Sequence, residues 1–350
     1  MIPYFLLLLI PSIFALLNTR RLSLPLWYAT FVVFVLFVGL RFEVGPDWEQ
    51  YGYIHKSLAY ESFWEVVSQP EPLSYLLFWF SETLGYHIYF SNLVAALIML
   101  TGVFAFARRT VNPWLAVVSA TPSFIIVMGM SGVRQTMAAG IILFLFSRWE
   151  RYSFIKRGAF ILVAAMFHTS ALVNNVFLVI KLNIAMRYKM ALGVLITLAT
   201  LYLGFGVSVY ADNIAQYQQR YIDTDIVDQS FGSTYHIAMI AVPAFIGFIF
   251  RRQLDAHIHS ISLMNFGLYA SVIIFLLNFF SSTVASRLTV YLYFMPMMVY
   301  PALVEAYGKR NQLPYIFTII LLHMLILYAW FAAGNHAFAY NDYKNILFDN

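Results

Sequence analysis

A succession of apolar runs along the whole chain constrains its fold more than any other feature. The runs lie near the ~20 residues that an α-helix needs to cross a bilayer, at 2–18, 24–40, 87–107, 113–130, 133–147, 189–210, 234–250, 261–280, 287–306 and 312–333. Only 11% of the 350 residues are charged, against about a quarter in soluble domains. The pattern predicts an all-α polytopic membrane protein with about 10–12 transmembrane helices, forming one membrane domain over residues 1–350.

The distribution of Lys and Arg predicts the topology. Basic loops of membrane proteins face the cytoplasm. If the apolar segment 158–181 enters the membrane and returns on the same side, most of the 21 basic residues face the cytoplasm. If it crosses once, the two sides carry nearly equal numbers. The rule therefore predicts a re-entrant or hairpin segment at 158–181, with its turn near 166–175. It also predicts external segments at 41–86, with an interfacial helix, and at 211–233.

Three of the arginines left outside abut predicted spans: Arg41, Arg134 and Arg287. The sequence predicts that Arg134 and Arg287 each begin a helix. Charges at membrane depth usually face a cavity or a partner, although a lone Arg can instead extend to the lipid headgroups. Three at one level favour a shared anionic ligand, and the guanidinium fork suits phosphate. A lipid pyrophosphate is the ligand that we expect.

The stretch GLRFEVGPDWEQY, residues 39–51, brings carboxylates to the same level. Gly45-Pro46 predicts a turn and then a short helix at the membrane interface, on which Asp47 and Tyr51 share a face. Two simpler interpretations stay open, since Asp47 can cap the helix and Glu43 can pair with Arg41.

Two further candidates for a catalytic base come later in the chain. Glu71 lies between two prolines in QPEPLSY, and His168 lies in the predicted turn of segment 158–181. A lone His in an apolar run is often only a hydrogen-bonded core residue, but a non-crossing segment at membrane depth normally lines a cavity.

The chain has no cysteine, which excludes disulfides, thiolate metal ligands and a cysteine nucleophile. It has no nucleotide-binding or nucleophile-elbow motif either. Glu43, Asp47 and Glu71 could together hold a divalent ion, but arginines that bind a pyrophosphate make a metal unnecessary.

In combination, these motifs resemble the EpsG-like branch of the Wzy-type polysaccharide polymerases. GLRFEVGPDWEQY is similar to the signature G-x-R-x-x-x-G-x-D-x-x-x-Y. QPEPLSY, SGVRQTMAAGI, MFHTSAL and SRLTVYLYFMP resemble the later landmarks, in the same order. The chain departs from the pattern at Leu73-Ser74, where the family more often has a glycine beside the aromatic residue.

The resemblance implies a bacterial inner-membrane glycosyltransferase with a GT-C-like membrane fold, no metal or cofactor and an active site facing the periplasm. Its substrates would be oligosaccharide repeat units carried on undecaprenyl pyrophosphate, in O-antigen (lipopolysaccharide), capsule or exopolysaccharide synthesis. Membrane lipid and a separate chain-length regulator would be its partners, and nucleic acid would not.

Residues and resemblance together predict three groups of site residues. Arg134, Arg287 and Arg41 are expected to bind the pyrophosphate. Glu43 or Asp47, then His168, then Glu71, are the candidates for the catalytic base. Tyr51, Trp48 and Tyr75 are expected to stack on sugar rings.

Three other functions fit parts of the pattern. A ligase would use the same lipid-linked donor and pass finished polysaccharide to another acceptor. A flippase or transporter of lipid-linked sugars would need charges along the depth of its path, whereas the clear charges here lie near the membrane faces. A membrane O-acyltransferase would need a histidine-centred site open to the cytoplasm.

Overall fold

The computed structural model of the protein describes residues 1–17, 23–205, 231–279, 281–308 and 311–348. The predicted external segment 211–233 lies almost entirely outside the described residues.

Helices make up most of the described chain, which also contains one two-stranded ribbon. The α-helices are α1 Ile2–Leu16, α2 Leu24–Gly39, α3 Trp48–Leu58, α4 Phe63–Val67, α5 Pro72–Thr83, α6 His87–Ala107, α7 Pro113–Ala120, α8 Val133–Phe146, α9 Phe154–Phe167, α10 Met186–Phe205, α11 Phe231–Ile249, α12 Arg251–Leu254, α13 Ile261–Leu277, α14 Ser282–Thr289, α15 Phe294–Tyr307 and α16 Leu313–Ala333. The strands are β1 Arg41–Phe42 and β2 Lys344–Asn345.

Non-α helical segments interrupt or extend several of these helices. A π-helix, Thr121–Met128, continues α7, and a long 3-10 helix, Thr169–Lys181, follows α9. Short 3-10 turns lie at Trp149–Arg151, Asp255–His257, Val290–Leu292 and Ala337–Tyr340.

Local sequence accounts for where many helices begin. Proline occupies one of the first two positions of α2, α5, α7 and α16, where its missing N–H costs nothing because the first helical N–H groups have no intrahelical acceptor. Asn112 and Ser153 cap α7 and α9 by accepting a hydrogen bond from the backbone N–H three residues later.

The described helices confirm the prediction of an all-α polytopic membrane protein. His87–Ala107, Gly232–Ile249 and Leu313–Ala333 are long and apolar enough to cross a bilayer. Val284–Leu292 and Phe294–Tyr307, bent by 51°, make a fourth span if they are taken together. Other apolar helices, such as α1, α2, α8 and α13, have 10–17 residues. At ~1.5 Å per residue these shorter helices fall below the ~30 Å of a bilayer core. The predicted number of about 10–12 spans is therefore reached only if they also cross.

Two glycines let α6 and α8 approach closely near the centre of the fold. A Cβ on Gly102 would lie 1.9 Å from the carbonyl oxygen of Gly140, and a Cβ on Gly140 would lie 2.5 Å from the Cα of Met99. Small residues at helix contacts are typical of membrane helices, because close backbone approach replaces the missing hydrophobic drive. The contact positions α8, whose first turn carries Arg134.

Segment 154–181 forms the predicted helical hairpin. α9 ends at Phe167, and His168 adopts an extended conformation before the 3-10 helix Thr169–Lys181 begins. The two arms pack against each other. His168 therefore lies at the corner of the hairpin.

The C-terminal segment packs against the stretch 39–51, a contact that the sequence did not predict. Phe42 pairs with Lys344 and Arg41 with Asn345 in an antiparallel ribbon. The backbone N–H of Gly45 donates to the carbonyl of Ala339 at 3.0 Å. Gly45 has φ +102°, and a Cβ there would lie 2.0 Å from the carbonyl oxygen of Met130. Only glycine fits this turn, which places Asp47 at the start of α3.

Candidate functional site

Mostly polar residues from distant parts of the chain line one cavity of about 300 Å³. They come from the beginning of α3, the first turn of α8, the corner of the hairpin, α11 and α14. The lining residues are Asp47, Gln50, Tyr51, Met128, Ser131, Gly132, Arg134, Gln135, His168, His236, Ser286 and Arg287.

Glu71 lies immediately behind this lining and connects three of its parts. The Glu71 side chain is buried at the N-terminus of α5, and its Oε2 accepts a hydrogen bond from Arg134 Nη1 at 2.6 Å. Its Oε1 accepts from His168 Nδ1 and from the backbone N–H of Thr169, the latter at 3.0 Å. One carboxylate therefore holds both the arginine of α8 and the histidine of the hairpin.

Glu71 is an ionised acceptor at neutral pH. Glu71 lies outside the candidate spans. Burial by itself raises the pKa of its carboxyl group. The neighbouring His168, Arg134 and Thr169 N–H outweigh burial and lower the pKa of Glu71 to about 2. With both oxygens occupied and so low a pKa, Glu71 positions its neighbours and is a poor proton acceptor.

Ser74 strengthens this arrangement at the position where the chain departs from the family pattern. Its hydroxyl donates to the carbonyl of Phe167 at 2.7 Å. The bond connects α5 to the residue before His168, so Ser74 helps to keep Glu71 and His168 in contact.

His168 has the arrangement of a general base. Its Nδ1 faces the Glu71 carboxylate, and its side chain, 13% exposed, lines the cavity. A carboxylate partner fixes the ring orientation and leaves Nε2 as the proton acceptor.

Asp47 is the second acidic residue at the cavity, and it does not cap α3. Its Oδ2 accepts a hydrogen bond from the Ser131 hydroxyl at 2.9 Å, and it makes no side-chain bond to the first turn of the helix. Tyr51, one turn later, also lines the cavity, and its hydroxyl lies 3.5 Å from the backbone nitrogen of Arg134. The prediction that Asp47 and Tyr51 share a face is confirmed.

Arg134 begins α8, as predicted. Not every nitrogen of its guanidinium group has a hydrogen-bond partner among the described residues. Nη1 binds Glu71 and lies 3.5 Å from the Tyr75 hydroxyl. The buried Nε atom has no hydrogen-bond partner among the described residues.

Arg287 also lines the cavity, but the prediction that it begins a helix was wrong. Ser281 caps α14, so Arg287 falls in the last turn of that helix. Its backbone carbonyl accepts from Gln135 Nε2 at 2.8 Å, which connects α14 to α8. The helix starts earlier than predicted because the hydroxyl of Ser281 satisfies the free N–H of Val284.

Five predicted site residues are absent from the cavity lining. Glu71 and Tyr75 are two of them, and both contact Nη1 of the lining residue Arg134. The other three have partners elsewhere. Arg41 is 2% exposed and donates to the carbonyls of Val38 and Val44 at 2.7 and 3.2 Å, so it closes the end of α2. Glu43, with φ +54°, does not pair with Arg41 but with Lys344 at 2.9 Å, across the ribbon. Trp48 packs against other aromatic rings, those of Phe42 and Tyr89. Glu43, Asp47 and Glu71 form no metal-binding group among the described residues.

The sequence did not single out several residues that line the cavity. Gln135 directly follows Arg134, and Ser131 lies in the same motif, so proximity in sequence was an available signal. His236 gave a weaker signal, as one histidine among the polar residues that begin an apolar helix. Gln50, Met128, Gly132 and Ser286 complete the lining.

Fold and site together define a multi-pass membrane protein with a polar cavity in which two arginines and a carboxylate-paired histidine meet. Residues 25–345 match the model of the EpsG family, so the chain belongs to the EpsG family. Proteins of this family are similar to Wzy-type polymerases, and the chain is a polysaccharide polymerase-like membrane protein. No curated protein and no solved structure shows significant similarity to it. A GT-C-like arrangement of its helices stays a prediction.

Proposed function

We propose that this chain is a bacterial inner-membrane glycosyltransferase that joins oligosaccharide repeat units carried on undecaprenyl pyrophosphate. The observation that supports the proposal best is one cavity lined by Arg134, Arg287 and His168, with Glu71 bound to both Arg134 and His168. The cavity unites cations for a phosphate leaving group with a base for a sugar hydroxyl.

The arginines act on the leaving group. As the bond between the anomeric carbon and the pyrophosphate oxygen breaks, its electron pair leaves with the pyrophosphate, where negative charge builds up. Arg134 and Arg287 stabilise that charge more in the transition state than in the ground state. Glu71 holds Nη1 of Arg134, so the rest of the guanidinium is oriented before the substrate arrives.

His168 acts on the acceptor. Its Nε2 takes the proton of the attacking sugar hydroxyl while that oxygen forms the new bond to the anomeric carbon. The Glu71 carboxylate stabilises the resulting imidazolium through Nδ1–H. Asp47 stabilises the positive charge on the donor sugar ring. Glu43, paired with Lys344 outside the cavity, has no part in this scheme.

The proposed orientation follows from the charge distribution. With segment 154–181 as a hairpin, the basic clusters of the sequence fall on the cytoplasmic side, and Arg134 and Arg287 fall on the periplasmic side. Lipid-linked repeat units would reach the cavity from the outer leaflet, and a chain-length regulator would act on the same side.

Substitution of the two cavity arginines tests the proposal. Arg134→Ala and Arg287→Ala should each abolish long polymer in cells and leave single repeat units attached to the final carrier, which an electrophoretic ladder resolves. Arg252→Ala is the matched control, since Arg252 is exposed and is not one of the residues that line the cavity. Normal polymer length in both cavity variants would refute the proposal. Loss of the single-repeat form as well would assign the chain to ligation or flipping.

A further inference from the structure

A second histidine, His236, lines the same cavity and is held quite differently from His168. Its Nδ1 lies 3.2 Å from the Ser123 hydroxyl and 3.4 Å from the Tyr293 hydroxyl. The hydroxyls of Ser123 and Tyr293 are themselves in hydrogen-bonding contact. The ring centroids of Tyr235 and Trp330 lie 5.3 and 5.9 Å from that of His236. The ring is therefore held at Nδ1, and Nε2 remains for a ligand in the cavity.

Ser123 belongs to the π-helix Thr121–Met128, which is buried over most of its length. Such helices are rare, and they occur often at functional sites because they displace side chains from their α-helical positions. The Tyr340 hydroxyl donates to the Val127 carbonyl in this segment at 2.7 Å, and the Tyr4 hydroxyl donates to the Tyr340 carbonyl at 2.9 Å. Contacts from both ends of the chain thus hold the segment that positions His236.

The surroundings of His236 favour a neutral imidazole. Its polar contacts in the described structure are two hydroxyls, whereas His168 contacts a carboxylate. A buried imidazolium without an anionic partner would be strongly unfavourable.

A neutral imidazole matches a sugar hydroxyl better than a phosphate. In one tautomer Nε2 donates a hydrogen bond, and in the other it accepts one. A hydroxyl can do both, so it complements either tautomer, while a phosphate oxygen accepts only. The phosphate already has Arg134 and Arg287. Gln50 and Gln135 add neutral amide groups to the same cavity.

We propose that His236 binds a sugar hydroxyl of the lipid-linked repeat unit, with Ser123 and Tyr293 as the residues that position its ring. This inference rests on the proposed function and adds a sugar-recognition residue to it. His236 then affects which repeat unit is accepted, and the chemical step depends on His168.

Purified protein in detergent can be tested with two probes, a lipid-linked repeat unit and undecaprenyl pyrophosphate that carries no sugar. His236→Ala should raise the KM for the repeat unit about tenfold, as expected for the loss of one neutral hydrogen bond. It should change kcat and the Kd for the sugar-free lipid by less than about twofold. His236→Gln, which retains a donor and an acceptor, should recover most of the KM. Tyr293→Phe should have a smaller effect in the same direction.

His323→Ala is the matched control, because His323 is buried in α16, binds the carbonyl of Ile319 and is absent from the cavity lining. A KM for His236→Ala equal to that of the wild type would overturn the inference, as would equal weakening of both probes. If Arg134→Ala binds the sugar-free lipid as tightly as the wild type, the proposed function fails, and the role of His236 fails with it.

Discussion

The two histidines at the cavity show how partners determine what one residue type does. His168 lies at the corner of a hairpin against the carboxylate of Glu71, a partner that suits the proposed role of His168 as a base. His236 lies on an apolar helix against the hydroxyls of Ser123 and Tyr293, which hold the ring without supplying charge. The His168–Glu71 pair therefore suits the proposed proton transfer, whereas His236, held by hydroxyls, suits the proposed recognition of a sugar.

Replacement of each histidine by alanine should give the largest kinetic difference, because one variant should change kcat and the other KM. His168→Ala should lower the kcat for polymerisation by about 10²–10⁴-fold, the usual contribution of a general base, with little change in the binding of sugar-free undecaprenyl pyrophosphate. His236→Ala should act on KM instead. Initial rates over a range of repeat-unit concentrations measure both effects. Equal loss of kcat in the two variants would remove the distinction between the histidines.

Glu71→Gln removes the carboxylate charge beside His168 and keeps a side chain of nearly the same shape in its place. The amide is nearly isosteric but neutral, so it cannot stabilise the His168 imidazolium or pair with the charge of Arg134. We expect kcat to fall by about 10²-fold, with the KM for the repeat unit nearly unchanged. Ser81→Ala, another buried side chain of the α5 region outside the cavity, is the control. Wild-type turnover in Glu71→Gln would show that the carboxylate has no role in catalysis.

Acid titration should detect the same carboxylate through stability. Because the pKa of Glu71 falls from 4.5 to about 2 on folding, its ionised form stabilises the folded state above pH ~4.5. That stabilisation, a few kcal/mol at most, decreases as the pH falls towards about 2. The melting temperature of the wild type in detergent should therefore drop more steeply below pH ~4.5 than that of Glu71→Gln. Parallel curves for the two proteins would contradict this pKa.

The smallest effect is expected at Glu43, which the sequence placed among the first candidates for the base. Glu43 pairs with Lys344 on a half-exposed surface, and such ion pairs contribute about 0–1 kcal/mol. Glu43→Gln should thus leave the length of the polymer ladder unchanged and shift the melting temperature only slightly. Loss of polymer in this variant would argue for Glu43, and against His168, as the catalytic base.

Local patterns in the sequence predicted much of the fold and part of the site. Apolar runs predicted the helices, because burial in lipid requires an uninterrupted apolar helix. The positive-inside rule predicted the hairpin with His168 at its turn, and helix periodicity predicted the shared face of Asp47 and Tyr51. The sequence also predicted that a helix, α8, begins at Arg134.

Local sequence patterns could not predict which residues that are far apart in the chain come into contact. Arg41 and Arg134 look alike in sequence, since each abuts an apolar run. Arg41 is occupied by the carbonyls of Val38 and Val44, whereas Arg134 reaches the cavity. Glu43 pairs with Lys344 because the C-terminal strand lies beside β1, a pairing that no local pattern predicted.

Sequence patterns alone predicted a multi-pass helical membrane protein that resembles the EpsG family, and they singled out arginines, acidic residues and a histidine as candidate site residues. Which of these residues share a cavity depends on how the helices pack. Glu71 and His168 are 97 residues apart, and His236 and Ser123 are 113 apart. Hydropathy and helix periodicity act over a few turns, so the packing of α5 on the hairpin and of α11 beside the π-helix had to be seen before the roles of these side chains could be assigned.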